Sequence, residues 1–433
     1  MQDFIVLYPV YAALFADAGL SAAAISSLFV IWSVAGFALE LPSGVWADAF
    51  SRRRLLVAAP LLSGAGFGAW AAVPSYPVFA VGFVLWGAGS ALRSGTLQAL
   101  VYEELARAGA AASYARLVGR SEAAGLAGVV AASALAAPVL AVGGYAAAGV
   151  LSVAACGACA VAGWRLPESP RVTSGEPVRG TGGVASTDDA SAGVGASLAA
   201  VVREGWRQVR TGPRLRRSLL VMVVLTGVGA LDEYVPLLVR DAGVAGSWGP
   251  LLVLMVVTGD AVGGWLSGRG ARWPAPVLAV GAVCLAAGSL DGRPGGLVLV
   301  AVAFGALRWS TAAADARLQE GISDGARATV TSLAGLGSEV VAVLVFAGWG
   351  LGSAWAGPGV LMAAASVPIA VVAVVLGATR TGRRPDDRRR WRAAGAHPAA
   401  ADRSPADERR RGGVTSIGAL GEALRRRPRS ERR

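Results

Sequence analysis

Long apolar runs, broken by short polar intervals, fill the chain as far as Ala378. A helix that crosses a bilayer needs about 20 apolar residues, and twelve segments approach or meet that length. The first six are Phe4–Ala18, Ala22–Val45, Leu55–Val73, Val78–Val101, Tyr114–Val139 and Gly143–Trp164. The second six are Arg217–Val239, Ser247–Ser267, Pro274–Leu290, Gly296–Gln319, Ala326–Trp349 and Trp355–Ala378. The first is short and starts almost at Met1, so it either ends early or has lost residues to a clipped start. Between the two sets, Leu166–Pro213 turns to Pro, Gly, Ser, Thr and charge, the composition of a linker. Within it, Leu198, Val201, Val202, Trp206 and Val209 recur at helical spacing opposite Arg203, Glu204, Arg207 and Arg210. That pattern predicts an amphipathic helix on the membrane surface, the plain alternative being a solvated helix without lipid contact. Beyond Thr379 no apolar period is sustained and the tail reads as disordered. The predicted fold is all-α and polytopic, with 12 transmembrane helices in two pseudo-symmetric six-helix bundles (1–166 and 214–378), a cytoplasmic linker (167–213) and an Arg-rich tail (379–433).

Composition supports the pattern. The chain is 54% hydrophobic and 16% charged, with a mean hydropathy of +0.54, which leaves membrane protein as the fitting class. A net charge of +12 would suggest nucleic acid if it covered one face. Most of it sits in the tail, where Arg380–Arg433 holds 17 arginines against seven acids, so a nucleic-acid partner is not expected. Every cation is arginine. Counted on alternate loops, one side holds Arg52–Arg54, Arg107, the linker arginines, Arg269, Arg272, Arg327 and the tail; the other holds Arg240 and Arg293. Cytoplasmic loops carry the excess of cations, so both termini are expected inside. Trp70, Trp164, Trp248, Trp273, Trp349 and Trp355 fall at segment ends, where aromatic belts sit.

Catalytic chemistry finds little footing. Cys156, Cys159 and Cys284 lie in apolar runs as small packing residues, the only histidine is His397 in the tail, and no glycine-rich phosphate loop exists. No metal, cofactor or ATP-driven step is expected, nor an enzyme.

The two sets of segments also resemble each other, as duplicated bundles do. Asp17-Ala-Gly matches Asp241-Ala-Gly, Glu40 with Gly44 matches Asp260 with Gly264, Arg93 matches Arg308, and Arg-Ser-Glu122 matches Gly-Ser-Glu339, in one order and at nearly one offset. The loop Glu40–Leu56 is the most charged interval among the early segments. Gly44 permits a close helix ending, Asp48 follows, and Arg52, Arg53 and Arg54 form a cationic cluster.

The spacing Gly44-x-x-x-Asp48-x-x-x-Arg52-Arg53, after the second of twelve segments, resembles the loop signature of the major facilitator superfamily. The resemblance covers about Phe4–Ala378; Ala49 replaces the cation that usually follows the Asp, and Ser51 replaces a usual Gly. Arg93 is similar in position to the buried arginine of that superfamily's proton-coupled drug exporters, and Ala137-Pro138 with Gly143-Gly144 resembles their Gly-Pro and Gly-Gly motif. Ser94-Gly95 through Glu104 resembles the same helix end in a group of bacterial exporter-like facilitators. The resemblance implies a multi-pass, monomeric transporter of a bacterial inner (plasma) membrane that moves a small molecule by alternating access, with a proton as coupling ion. Export is the expected direction; uptake or uniport of a nutrient, and a membrane-embedded sensor or scaffold using the tail, are the alternatives.

Charges inside a bilayer cost around 2.5–3.5 kcal/mol each at its centre, so Arg93, Glu122, Asp232, Glu233, Asp260, Arg308 and Glu339 each require a reason. Arg93 and Glu122 lie at matching depths, roughly 12 Å in from the cytoplasmic helix ends, and Arg308 and Glu339 near ~17 Å. Two static Arg–Glu pairs, one per half, are one reading; the other makes one of these carboxylates a proton carrier that alternates between an arginine and a desolvated state. Asp232 and Glu233 are adjacent, so at most one faces a cavity. Tyr8, Trp32, Trp86 and Trp309 are candidate cavity walls, with core packing or lipid contact the plain alternative, and Pro9 and Pro236 are expected to bend their helices.

Overall fold

The computed structural model describes residues 3–381 apart from 95, 111–112, 169–202, 204–205, 208, 245–247, 268–273 and 323–326. Side chains at 41–49, 115, 122, 327–328 and 379–381 also lie outside that description. Among the described residues every element is helical: α1 (Tyr11–Asp17), α2 (Ala22–Ala49), α3 (Arg52–Ala72), α4 (Tyr76–Arg93), α5 (Thr96–Arg107), α6 (Tyr114–Trp164), α7 (Pro213–Val228), a 3-10 segment (Gly229–Tyr234), α8 (Val235–Asp241), α9 (Gly249–Leu266), α10 (Pro274–Leu290), α11 (Gly296–Glu320), α12 (Arg327–Gly352), α13 (Pro358–Ala364) and α14 (Ser366–Thr381). Nine stretches among them are long and apolar enough to cross a membrane, and α10 is a shorter apolar helix.

Several predicted segments break or merge for local reasons. Phe4–Ala18 is helical only from Tyr11, because Pro9 has no N–H and disfavours helical geometry at Tyr8. The backbone N–H of Leu7 instead donates to Ser152 Oγ at 3.1 Å. Val78–Val101 divides at Ser94, whose ψ of 120° ends α4 before Thr96 starts α5. The segment 217–239 divides at Gly229–Tyr234: Pro236, in the first turn of α8, cannot bond to the carbonyl a turn earlier, and the chain tightens into a 3-10 helix. Tyr114–Val139 and Gly143–Trp164 remain two helices, as expected, but they are joined directly through a kink at Gly144 within α6. There φ is 60° and ψ −158°, non-helical values that favour glycine and break the helix at this residue. The loop after the second segment is likewise shorter than expected. Helix α2 runs through Gly44 to Ala49, leaving Phe50 and Ser51 to turn the chain into α3.

Helices α2, α3, α4 and α6 interlock, as do α7 with α12 and α11 with both α9 and α10. Contacts α2–α12, α6–α9 and α1–α8 join these sets. Close approach relies on small residues. A Cβ on Gly263 of α9 would stand 2.1 Å from the Gly305 carbonyl oxygen of α11, so the two backbones touch there.

In the predicted amphipathic helix, residues 203, 206, 207 and 209–211 are described and helical. Val209 is buried against Leu215, Leu219, Leu318 and Ile322, while Trp206 stays half exposed. Leu198, Val201 and Val202, and the tail from 382 onward, lie outside the described residues.

Candidate functional site

A cavity of about 580 Å³ opens between the helices, walled on one side by Tyr8, Trp32, Phe67 and Trp86 and on the other by Val253, Val256, Phe304 and Leu307. Trp32 and Trp86 stack at 5.0 Å between ring centroids with 25° between planes, and Tyr8 meets Trp86 edge-on at 5.8 Å. A second lobe of about 440 Å³ continues from it, lined by Ser33, Glu40, Glu233, Glu339 and Phe346. Tyr8, Trp32, Ser90, Thr226, Gly229 and Asp232 border both lobes.

Of the sequence-predicted residues, Tyr8, Trp32, Trp86, Arg93, Asp232, Asp260 and Arg308 line the first lobe, and Glu40, Glu233 and Glu339 the second. Trp309 does not belong with them. It is buried at 7% exposure and donates its Nε1–H to the Leu266 carbonyl at 3.2 Å, so it packs α11 against the end of α9. The proposed Arg308–Glu339 pair is also absent. Arg308 points to Asp260 at 3.9 Å, one helix nearer across the tight α9–α11 contact, and Glu339 accepts from Ser33 Oγ at 2.5 Å. Glu122 has its side chain outside the described residues; among those described, no carboxylate forms an ion pair with Arg93.

Asp232 and Glu233 both border the second lobe, against the expectation that at most one faces a cavity, but they differ in exposure. Asp232 is exposed to the cavity, whereas Glu233 is buried and accepts a hydrogen bond from the Tyr11 hydroxyl. Around Tyr11 lie Phe15, Phe29, Trp70, Phe83 and Trp86, while Tyr234 stacks on Trp349 at 3.9 Å and shares a 2.8 Å hydrogen bond with Ser26. These rings close one end of the cavity. Beyond them Arg240 forms an ion pair with Asp17, which also accepts from the Tyr145 hydroxyl at 2.7 Å, and Asp241 Oδ2 accepts from the Gly359 N–H at 3.3 Å. The opposite end admits water: the side chains of Asp260 and Arg308 remain 45% and 59% exposed, and Glu40, Ser94 and Glu339 are exposed as well.

That open end carries the cationic loop. Arg52 pairs with Glu103 of α5, and the Arg53 guanidinium lies 5.4 Å over the Trp164 ring. Ser51 caps α3 by accepting from the Arg54 N–H at 3.3 Å, and its hydroxyl donates to Glu168, which also accepts from the Arg53 N–H at 3.4 Å. Partial burial works to raise the Glu168 carboxyl, but those hydrogen bonds outweigh it and hold it below its ordinary range. The backbone of Gly44 and Asp48 lies in the last turns of α2; the Asp48 side chain is outside the described residues.

Sequence reasoning missed Tyr11, Ser33, Tyr145 and Glu168 as partners. Asp17 and Arg240 stood out separately, one as a repeat marker and one as a rare outer-side arginine; their opposite charges at matching segment ends were the available signal.

Comparison with known proteins places this architecture. The sequence matches the family model of the Major Facilitator Superfamily over residues 1–346. No curated protein matches it. Similar solved structures include the POT family transporter PepTSo (14% identity, 88% of this chain and 96% of that one, TM-score 0.60). A bacterial homolog of the human lysosomal transporter Spinster shows 17% identity over 86% and 92%, with a TM-score of 0.59. A D-xylose-proton symporter shows 15% identity over 86% and 93%, with a TM-score of 0.60. With most of its length under the family model and its helices in the same arrangement as these transporters, this multi-pass membrane protein belongs to the Major Facilitator Superfamily and is a transporter rather than an enzyme.

Proposed function

We propose that the chain is a proton-coupled secondary transporter that exports a small molecule by alternating access. The observation that carries the reading is the cavity, open to water at the Arg52 end and closed at the other by buried rings and the Asp17–Arg240 ion pair. Alternating access requires that asymmetry to reverse. Twelve spans in two pseudo-symmetric six-helix bundles result if α6 counts as two spans at Gly144 and Phe4–Asp17 and α10 count as one each. The arginine-rich end then faces the cytoplasm of a bacterial cell, with both termini inside, and the protein works as a monomer.

Support for coupling comes from the acids of the 3-10 segment. Asp232 is exposed where the two lobes meet, while Glu233 is buried in the wall of the second lobe beside Tyr11, on the same strip of chain. A helix movement that exposes Glu233 lets it exchange a proton on the far side. The test is transport in proteoliposomes across a panel of candidate compounds under an imposed pH gradient. Gradient-dependent efflux is expected; transport of any compound with no response to the gradient would sink the coupling. A carrier that runs as a uniporter keeps its activity after neutral replacement of Glu122, Asp232, Glu233, Asp260 and Glu339.

A further inference from the structure

The two lobes meet at a place whose chemistry is lopsided. Tyr8 and Trp32 border both lobes, and Trp86, stacked on Trp32, lines the first as a second indole. Asp232 also borders both, and among the described residues it has no cationic partner. Arg308 is engaged by Asp260, which removes one of the two arginines that line the lobes. Glu233 and Glu339 hold only hydroxyl donors, from Tyr11 and Ser33. Arg93 alone remains to favour an anion, against several carboxylates.

Two features of this arrangement select one sign of charge. The face of an indole attracts cations through its quadrupole, most strongly when water is excluded. A carboxylate that lacks a counter-ion in a walled cavity is completed by a cation brought in by the ligand. The remaining lining, Val253, Val256, Phe304 and Leu307, offers apolar area.

We propose that the cavity binds an organic cation carrying a flat apolar ring, its ring against Trp32 and Trp86 and its charge beside Asp232. Movement of that cation across the membrane rests on the transport reading; its binding does not.

The test uses full-length protein in lipid nanodiscs and isothermal titration, with empty nanodiscs as the reference for partitioning. The probes share one ring: 1-naphthylmethylammonium, its neutral analogue 1-naphthalenemethanol and the anion 1-naphthoate. The ammonium is expected to bind, and the other two more weakly by about tenfold or more. Asp232→Asn should reduce ammonium affinity by a similar factor, and Trp32→Ala should weaken it while Trp32→Phe keeps part of it. Both variants must elute as monodisperse protein; the conservative pair Asn and Phe keeps the comparison valid if Trp32→Ala does not fold. Equal or tighter binding of the alcohol or the carboxylate overturns the inference, as does an Asp232→Asn variant with wild-type affinity. Cation binding without flux in proteoliposomes would instead count against transport, so the two readings fail separately.

Discussion

Tyr11 and Glu233, 222 positions apart in the chain, meet where the cavity ends, the phenol donating to a carboxyl group that is only 7% exposed. Rings surround the contact on the Tyr11 side, while Glu233 borders the second lobe on the other. Tyr11→Phe strands a buried acceptor, at a cost of about 1–3 kcal/mol. Thermal unfolding in detergent should show that loss in the native background and little of it in a Glu233→Leu background. Equal losses in both would mean that the hydroxyl serves no carboxyl.

The Asp17–Arg240 pair lies at the closed end with side chains 45% and 49% exposed, so its contribution is that of a surface pair, about 0.2–1 kcal/mol. Asp17→Asn should therefore raise the population opened at that end by a few-fold and no more. A cysteine placed at Ala13, which lines the small outer pocket, reports this through its reaction with an impermeant maleimide once Cys156, Cys159 and Cys284 are replaced. Faster labelling in Asp17→Asn, reversed by the exchange Asp17→Arg with Arg240→Asp, is the expected pattern.

Gly263 is the tightest of the α9–α11 contacts. Val at this position places carbon against the Gly305 backbone and must push the helices apart, at about 1–3 kcal/mol or more. The Asp260–Arg308 pair spans the same two helices, so Gly263→Val should lower both thermal stability and transport. Normal stability in that variant would show that the helices separate without penalty.

Glu168 contributes through a carboxylate held below its ordinary range, and the sign comes from that direction. A depressed folded-state pKa gives a contribution that is complete above the unfolded value of about 4.3 and fades as pH falls through the lower folded value. The difference in melting temperature between wild type and Glu168→Gln should stay level from about pH 7 to 5 and shrink below about 4. Ser51→Ala removes the cap on α3 together with the donor to Glu168 and should cost about 1 kcal/mol. A Glu168→Gln difference that widens in acid contradicts the assignment.

Asp48→Asn should shift the balance toward the inward-open form and reduce transport while membrane insertion stays normal. Its position in the last turn of α2, at the end that carries Arg52 and Arg53, motivates this. Insertion is read by fractionation and transport by flux; wild-type flux would reduce the loop to a marker of sidedness.

Apolar length and arginine placement made the helical membrane fold legible, because lipid tolerates few alternatives to a helix. Breaks at Pro9, Ser94 and Pro236 were partly legible, since proline announces itself and serine does not. The two helices on either side of Gly144 were legible, but the single-residue kink that joins them was hidden, because Gly-Gly between two apolar runs reads equally well as a longer turn. Within the site, spacing along a helix does not fix rotation about its axis. That is why Arg308, matched to Glu339, faces Asp260 instead, and why Trp309 is packed away. Tyr11, Ser33 and Tyr145 were invisible as partners because a hydroxyl in an apolar run carries no periodic signal.

The positive-φ glycine at 144 has a mechanical meaning. One residue joins the helix that carries Leu140, which shares a pocket with Pro250 and Val253, to the helix that carries Tyr145, which donates to Asp17. The corner is a single-residue pivot: Gly144 is where the angle between the two helices can change, and a side chain there would strain the backbone.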